Sequence, residues 1–384
     1  RNRSAVRGAA SARAKPQAAK PCAAARVRII AARFVSLAAT TCLRRLPIAQ
    51  RSHIAGAARL RNASPQPGDC PLDQPVVLAE GLVKRFGAYR AVEGVSLSVA
   101  PGAVYGVLGP NGAGKTTTLR MLLGIIDPDE GQCRLLGSPR PRSVATRVGY
   151  LPEERGLYPG MTARESIAFM GALRGLPRAE GLVRADARLA TLGLAHAAKQ
   201  KVRRLSKGMS QMVQLVGALV HDPELIVLDE PFSGLDPVNQ ERLERMILAE
   251  RDRGATIILS THVMAHAQRL CDRVAIIAGG QRRFEGTVED ARAMLPLGVR
   301  YRPRDGADAA SLAGLLPRDA EQIGGEWRFT VADDGVEPML AALVAAHHGV
   351  EGLSIERPGL HEAFVKIVGE TRDQRHGARE EQAA

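Results

Sequence analysis

Gly109-Pro110-Asn111-Gly112-Ala113-Gly114-Lys115-Thr116 is the stretch that decides the fold. It fits the pattern G-x-x-x-x-G-K-[ST] and joins a fully apolar run, Ala103 to Leu108, to a segment of helical character, Thr116 to Leu123. Strand, Gly-rich loop and helix in that order predict an α/β fold in which helices wrap a parallel sheet. Glycines let backbone N–H groups converge on phosphates, the helix N-terminus adds positive potential, and Lys115 reaches the terminal phosphates. Thr116 offers a hydroxyl to magnesium. An ordinary Gly-rich turn would leave Gly114-Lys115-Thr116 unexplained.

Downstream, Leu225-Ile226-Val227-Leu228-Asp229-Glu230 is an apolar strand that ends in two carboxylates. Alone it reads equally well as a buried strand meeting a solvated acidic corner. Beside a phosphate loop it becomes specific, because active-site groups belong at the carboxyl ends of parallel strands. Magnesium keeps most of its waters and takes few protein carboxylates, a role for Asp229. Glu230 then lies where a carboxylate orients or deprotonates an attacking water. Thr256 to Leu259 is a further short buried strand, followed by Ser260-Thr261-His262.

Charge narrows the function classes. The net charge of +13 resembles a nucleic-acid signal until it is located: residues 1–72 hold 14 of the 53 Lys/Arg and a single acid, Asp69. The rest of the chain balances at 39 bases and 39 acids. A neutral body does not read as a DNA-binding domain, since phosphate neutralisation needs bases clustered on a folded surface. Five cysteines (Cys22, Cys42, Cys70, Cys133, Cys271) show no CxxC pairing, so neither a zinc site nor a disulfide framework follows. The longest mainly apolar stretch, Val27 to Leu43, is broken by Arg33 and is shorter than the roughly 20 residues of a spanning helix.

Composition divides the chain into segments. Residues 1–72 are Ala/Arg-rich and acid-poor and begin with Arg, which reads as upstream sequence without function, a targeting segment or a basic tether. All three readings predict disorder. Residues 73–297 carry the phosphate loop, with a mainly helical region at about 151–220, where Thr162 and Glu165 have the spacing of a capping box ahead of an apolar face at Ile167, Met170 and Leu173. Residues 298–370 change texture: strand at Val299 to Arg302, helix near Ala309 to Leu316, hairpin at Gly324-Gly325, helix at Pro338 to Ala346, strand at Leu353 to Glu356, helix at His361 to Val368. That β-α-β-β-α-β order predicts a small α+β unit of ferredoxin-like type. Residues 371–384 are charged and expected to fray.

Leu205-Ser206-Lys207-Gly208-Met209 resembles the LSGGQ motif that separates ABC-type ATPases from other phosphate-loop proteins. The resemblance extends over about residues 75–290 and keeps the family's order throughout. It implies an adenine-stacking aromatic at Phe86 and nucleotide contacts at Gly109, Asn111, Gly112, Ala113, Gly114, Lys115, Thr116 and Thr117. It further implies a D-loop at Ser233-Gly234-Leu235-Asp236 and a switch histidine at His262. Taken alone, Phe86 would more often be a core residue, and His262 a satisfied structural histidine. Ser206 stands where an N-cap is expected anyway, at the start of an apolar helix running to Val220. In the family that helix end faces the nucleotide of the other subunit, so Ser206, Lys207, Gly208 and Asp236 complete a partner's site in a head-to-tail homodimer.

Two departures stand out. Glu153, in Gly149-Tyr150-Leu151-Pro152-Glu153-Glu154-Arg155, takes the place of the family's Q-loop glutamine, and the signature has Lys207 for its first Gly and Met209 for its Gln. A carboxylate is at least as good an oxygen ligand for magnesium as an amide, so Glu153 joins Thr116 and Asp229 as a metal contact, and Glu230, His262 and Glu153 form the catalytic set. These departures resemble a bacterial subgroup assigned to sodium or drug export, whose members carry a small C-terminal domain. The implied protein is an ATP- and magnesium-dependent ATPase subunit on the cytoplasmic face of the plasma membrane. It would reach the membrane only through a separate permease and would not act on nucleic acid. The rival is a soluble ABC-type ATPase of DNA repair or translation, which would call for two cassettes, long coiled coils or zinc insertions. A second rival, a decayed nucleotide site, is opposed by intact Lys115, Asp229, Glu230 and His262.

Overall fold

The computed structural model describes residues 74–154, 156–304, 312, 314–345 and 349–369, so the expectations for residues 1–72 and 371–384 lie outside the described residues. The described chain opens with two strands, β1 (Val77–Phe86) and β2 (Tyr89–Val99), that turn through Gly87 into an antiparallel hairpin. β3 (Val104–Leu108) follows, buried at all five positions, and delivers the chain into the glycine loop and α1 (Lys115–Leu122). β4 (Glu130–Leu135) returns to the free edge of β1, giving a three-stranded sheet in the order β2-β1-β4. β5 (Val148–Leu151) then enters a second sheet.

Three helices come next, in the region where the sequence predicts them. α2 (Ala163–Ala172) begins with the expected capping box: Thr162 Oγ1 accepts from Glu165 N at 3.3 Å, and Glu165 Oε2 accepts from Thr162 N at 2.9 Å. Its buried face differs from the expected one. Ile167 is fully buried, but Leu173 is the C-cap and is 67% exposed, and the inward positions are Ala163, Ser166, Ile167, Ala168 and Gly171. The helix stops one residue before Leu173, so the three-residue spacing runs off its end. α3 (Arg178–Thr191) buries Gly181, Ala185 and Leu189, and α4 (Lys207–Leu219) is buried along its whole second half.

β6 (Leu225–Asp229), α5 (Pro237–Asp252), β7 (Thr256–Thr261), α6 (Met264–Leu270), β8 (Arg273–Ala278), β9 (Gln281–Thr287) and α7 (Val288–Ala293) complete the central layer. The six-stranded sheet has the order β5-β6-β7-β3-β8-β9, parallel except for β9. Period-two alternation splits its side chains between two cores. Val104, Leu108, Ile226, Leu228, Ile257 and Leu259 pack under the helical layer, whereas Tyr105, Val107, Leu225, Val227 and Ile258 pack against α1 and the three-stranded sheet. Burial on both faces is why these strands read as continuous apolar runs.

β10 (Leu297–Pro303), β11 (Glu321–Ile323), β12 (Glu326–Val331) and β13 (Val350–Glu356) form a fully antiparallel sheet in the order β11-β12-β10-β13. Gly324 and Gly325, at φ 60° and 80°, make the two-residue turn that the hairpin needs. The helix Val336–Ala345 packs with Leu312 and Leu316 on Val299, Tyr301, Trp327 and Phe329. Most of the helix expected near Ala309 to Leu316 lies outside the described residues.

The last helix, 360–369, was expected inside this small α+β unit, but its apolar face goes elsewhere. Leu360, Ala363 and Ile367 lie in the core beneath the helical layer, together with Met264, Ala267 and Leu270 of α6. Leu360 N donates to Gln268 Oε1 at 2.9 Å, and Arg292 Nε donates to Pro358 O at 2.9 Å. Helical spacing of Leu360, Ala363 and Ile367 shows that a face is buried, not which core receives it. Among the described residues no helix is long and apolar enough to cross a membrane.

Candidate active site

The glycine loop is shaped by close backbone approaches. A Cβ on Gly109 would lie 2.2 Å from Ile277 O, and one on Gly114 would lie 2.4 Å from Ala91 O, so neither position accepts a side chain. Gly112 and Gly114 take φ of 77° and 103°, in the left-handed range that favours glycine. Gly114 is also the N-cap of α1 and has no side chain with which to cap it, which leaves first-turn N–H groups for a ligand anion. Ala113 is buried, and its carbonyl accepts from Gly280 N at 3.1 Å, fixing the loop on β8–β9.

Lys115 projects back along this loop. Its Nζ donates to Gly109 O at 2.9 Å and Pro110 O at 3.3 Å, and it pairs with Glu230 Oε1 at 3.1 Å. Glu230 Oε2 in turn lies 2.9 Å from His262 Nδ1. Glu230 has φ 48°, a conformation that a non-glycine residue keeps only when its surroundings hold it. One such hold is the hydrogen bond from Glu230 N to Ser260 Oγ at 3.0 Å.

Parallel pairing sets Asp229 beside Ser260 in register. Asp229 Oδ1 accepts from Ser260 Oγ at 2.5 Å and from Thr116 Oγ1 at 3.1 Å. Asp229 Oδ2 is buried without a hydrogen-bond partner among the described residues. A buried carboxylate oxygen left unpaired costs desolvation energy, and a cation relieves it. Thr116 hydroxyl, an Asp oxygen and the edge of Glu153 are hard oxygen donors of the kind magnesium takes. Among the described residues no group of three or more His, Cys, Asp or Glu builds a protein-only metal cage. A cation here would therefore share phosphate and water ligands. Burial first, and then the charge of Asp229, raise the Tyr150 phenol above its usual range against the opposing effect of Arg120.

Of these groups Lys115, Thr116, Glu153 and Glu230 line a cavity of about 270 Å³ together with Asn111, Gly112, Ala113, Gly114 and Thr117, whereas Asp229, Ser260 and His262 do not line it. Tyr89 lines it too, and its hydroxyl donates to Gly112 O at 3.3 Å. Phe86 is the register partner of Tyr89 across the hairpin and is half exposed; it does not line the cavity itself. A second cavity of about 330 Å³ shares Glu153 and Glu230 with the first and reaches Lys207, Gln211, Gln214 and Ser233.

The remaining expected residues stand apart from the glycine loop. Ser206 is the N-cap of α4, its hydroxyl accepting from Met209 N at 3.2 Å. Asp236 caps α5, accepting from Asn239 N at 3.0 Å and Asn239 Nδ2 at 2.6 Å, bonds that hold its carboxyl below the usual range. Gly208 abuts Asn239 and Asp236, and Lys207 reaches over Gly234. None of Ser206, Gly208 and Asp236 lines the glycine-loop cavity.

Known proteins share this arrangement. The family model for ABC transporters matches residues 92–233. The uncharacterized ABC transporter ATP-binding protein YhaQ of Bacillus subtilis is 34% identical over 290 residues, covering 75% of this chain and 97% of the relative. The chain belongs to the ATP-binding subunits of ABC transporters. It is thus an ATPase, and ATP is its nucleotide. The Nod factor export ATP-binding protein I of Ralstonia nicotianae is 37% identical over 309 residues, 78% of this chain and 96% of that one. A solved ATP-binding subunit of an ABC transporter superposes with a TM-score of 0.53 at 32% identity, covering 57% of this chain and 92% of that one. For cbiO1 of Clostridium perfringens, part of the cbiONQ complex, the values are 0.52, 25%, 58% and 92%.

Sequence reasoning missed two residues of this ABC subunit's site. Tyr89 was hidden because one aromatic, Phe86, already answered for adenine, although both flank the same turn. Ser260 could have been found by aligning the apolar strands 225–229 and 256–260, which brings it beside Asp229.

Proposed function

We propose that this chain is the motor subunit of an exporter of ions or small molecules, acting through a separate membrane permease. One observation carries the reading: the buried pair Lys115–Glu230, continued by a contact from Glu230 to the half-exposed His262, adjoins an Asp229 oxygen that lacks a partner among the described residues. Adenine stacks on Phe86 at the rim, with Tyr89 next to it. N–H groups of residues 112–117 bind the phosphates, and Lys115 exchanges Glu230 and the loop carbonyls for the terminal phosphate oxygens. Thr116 and Asp229, with Glu153 nearby, would hold magnesium, which would supply neutralisation of phosphate charge. Glu230, released from Lys115, orients the attacking water and takes its proton, while His262 fixes the carboxylate and meets the terminal phosphate.

Ser206, Lys207, Gly208 and Asp236 serve the nucleotide of a second copy in a head-to-tail homodimer. The helix ends capped by Ser206 and Asp236 support this, since each is a polar N-terminus and neither cap lines the cavity of its own glycine loop. Glu153 relays the nucleotide state through the helical region to the permease, which holds the subunit at the cytoplasmic face of the membrane. The export names among the relatives support the direction of transport. The unit built on β10 to β13 and the helix Val336–Ala345 serves as an accessory domain, to which the 360–369 helix does not belong. The test is magnesium-dependent phosphate release with and without the reconstituted permease. Stimulation supports the motor role, and nucleic-acid stimulation in its place would favour a repair or translation ATPase.

A further inference from the structure

We propose that His266 is a positioning residue for ATP hydrolysis, one imidazole that holds α6, the helix that follows His262, against the segment carrying Glu230. The proposal rests on the hydrolytic reading above. His266 is 5% exposed and lies one helical turn beyond His262 in α6. Its ring stacks flat on Phe232, with centroids 3.9 Å apart and planes inclined by 5°. Phe232 is two residues past Glu230, so the stack bears on the segment whose first residue is in the left-handed conformation.

The polar edge of the same ring reaches a third element. Nδ1 lies 3.0 Å from Glu244 Oε1, on α5, and 3.0 Å from Arg269 Nη2. Glu244 also pairs with Arg269. Burial raises the Glu244 pKa, but hydrogen bonds from Arg269 and His266 outweigh burial and keep the carboxyl ionised below its usual range. An ionised carboxylate only accepts, so in the tautomer that bonds Glu244 the Nδ1 proton is donated to Glu244, and Arg269, which has no acceptor, bonds Glu244 and not the ring. α5 begins at Asp236, and α6 begins two residues after His262. His266 therefore ties the Glu230 segment, the helix capped by Asp236 and the helix that follows His262 into one unit. It does not line the cavity around Lys115, so it acts through its neighbours and not on the nucleotide. A leucine or phenylalanine would fill the same space. The directed bond to Glu244 adds a fixed orientation, as an outer partner does for a working side chain.

The geometry it sets is the 2.9 Å contact between His262 and Glu230. Small displacements of reacting groups cost large factors in rate. The experiment compares steady-state ATP turnover, binding of a non-hydrolysable ATP analogue, and His262 ring resonances by NMR without nucleotide. The variants are His266→Ala, His266→Phe, which keeps the stack, and His266→Gln, which keeps a donor for Glu244. The expected result is a kcat lowered about tenfold or more in His266→Ala, with analogue affinity within about twofold of the parent and smaller kcat losses in the other two. The His262 resonances should shift in all three. Unmoved resonances in folded His266→Phe and His266→Gln overturn the proposal, as do binding and turnover falling together in step with thermal stability. Should the parent protein show no turnover, the hydrolytic reading fails while the resonances still decide the positioning role.

Discussion

Lys115 Nζ stands 3.1 Å from Glu230 Oε1, with the two side chains only 6% and 9% exposed. The residue proposed to bind phosphate and the residue proposed to activate water thus neutralise each other. In the proposed mechanism ATP binding breaks this pair and frees both groups for their proposed roles.

Lys115→Ala should weaken ATP binding by about 10- to 100-fold or more, the worth of a charge-assisted contact to phosphate. It should also lower stability, because Glu230 is left buried without its cation. Titration with a fluorescent nucleotide measures the first effect and thermal melting the second. Unchanged affinity would contradict the phosphate-loop assignment.

Glu153 lines both cavities and therefore stands between the glycine loop and the signature helix. Glu153→Gln should leave ATP binding nearly unchanged. Glu153→Ala should reduce basal hydrolysis modestly, while stimulation by the permease falls about fivefold or more, since coupling depends on contacts that differ between states. Full permease stimulation in Glu153→Ala would remove the relay role.

His221 ties the end of α4 to β5: its Nε2 lies 3.2 Å from Val148 O, and its Nδ1 is buried without a hydrogen-bond partner among the described residues. Burial, which outweighs the Val148 bond, lowers its pKa from 6.5 to about 4. Between those values the unfolded chain binds the proton and the folded chain does not, so stability is complete above pH 6.5 and declines as pH falls towards 4. His221→Gln should flatten that decline, read as the urea midpoint from pH 7 to pH 4.5. An unchanged slope would show that another group governs it.

Much of this site was legible because its chemistry is local in sequence. The glycine loop follows a strand and opens a helix, and Asp229-Glu230 ends a second strand, so parallel pairing alone brings them together. Tyr89 and Ser260 escaped because they enter through cross-strand register, which no linear motif encodes. The 360–369 helix escaped for a related reason: its apolar spacing is local, but its partner core is about 90 residues away in α6. Leu173 misled because helix periodicity carries no signal of where the last turn ends.

The central claim is that Glu230 activates water at a nucleotide held by Lys115. Its most direct test is magnesium-dependent ATP turnover and nucleotide binding in Glu230→Gln. The account predicts turnover reduced by about 100-fold or more, ATP bound at least as tightly as in the parent because Lys115 loses its internal partner, and a dimer on sizing chromatography with ATP and magnesium. Turnover at the parent rate, with the protein monomeric throughout, would contradict it.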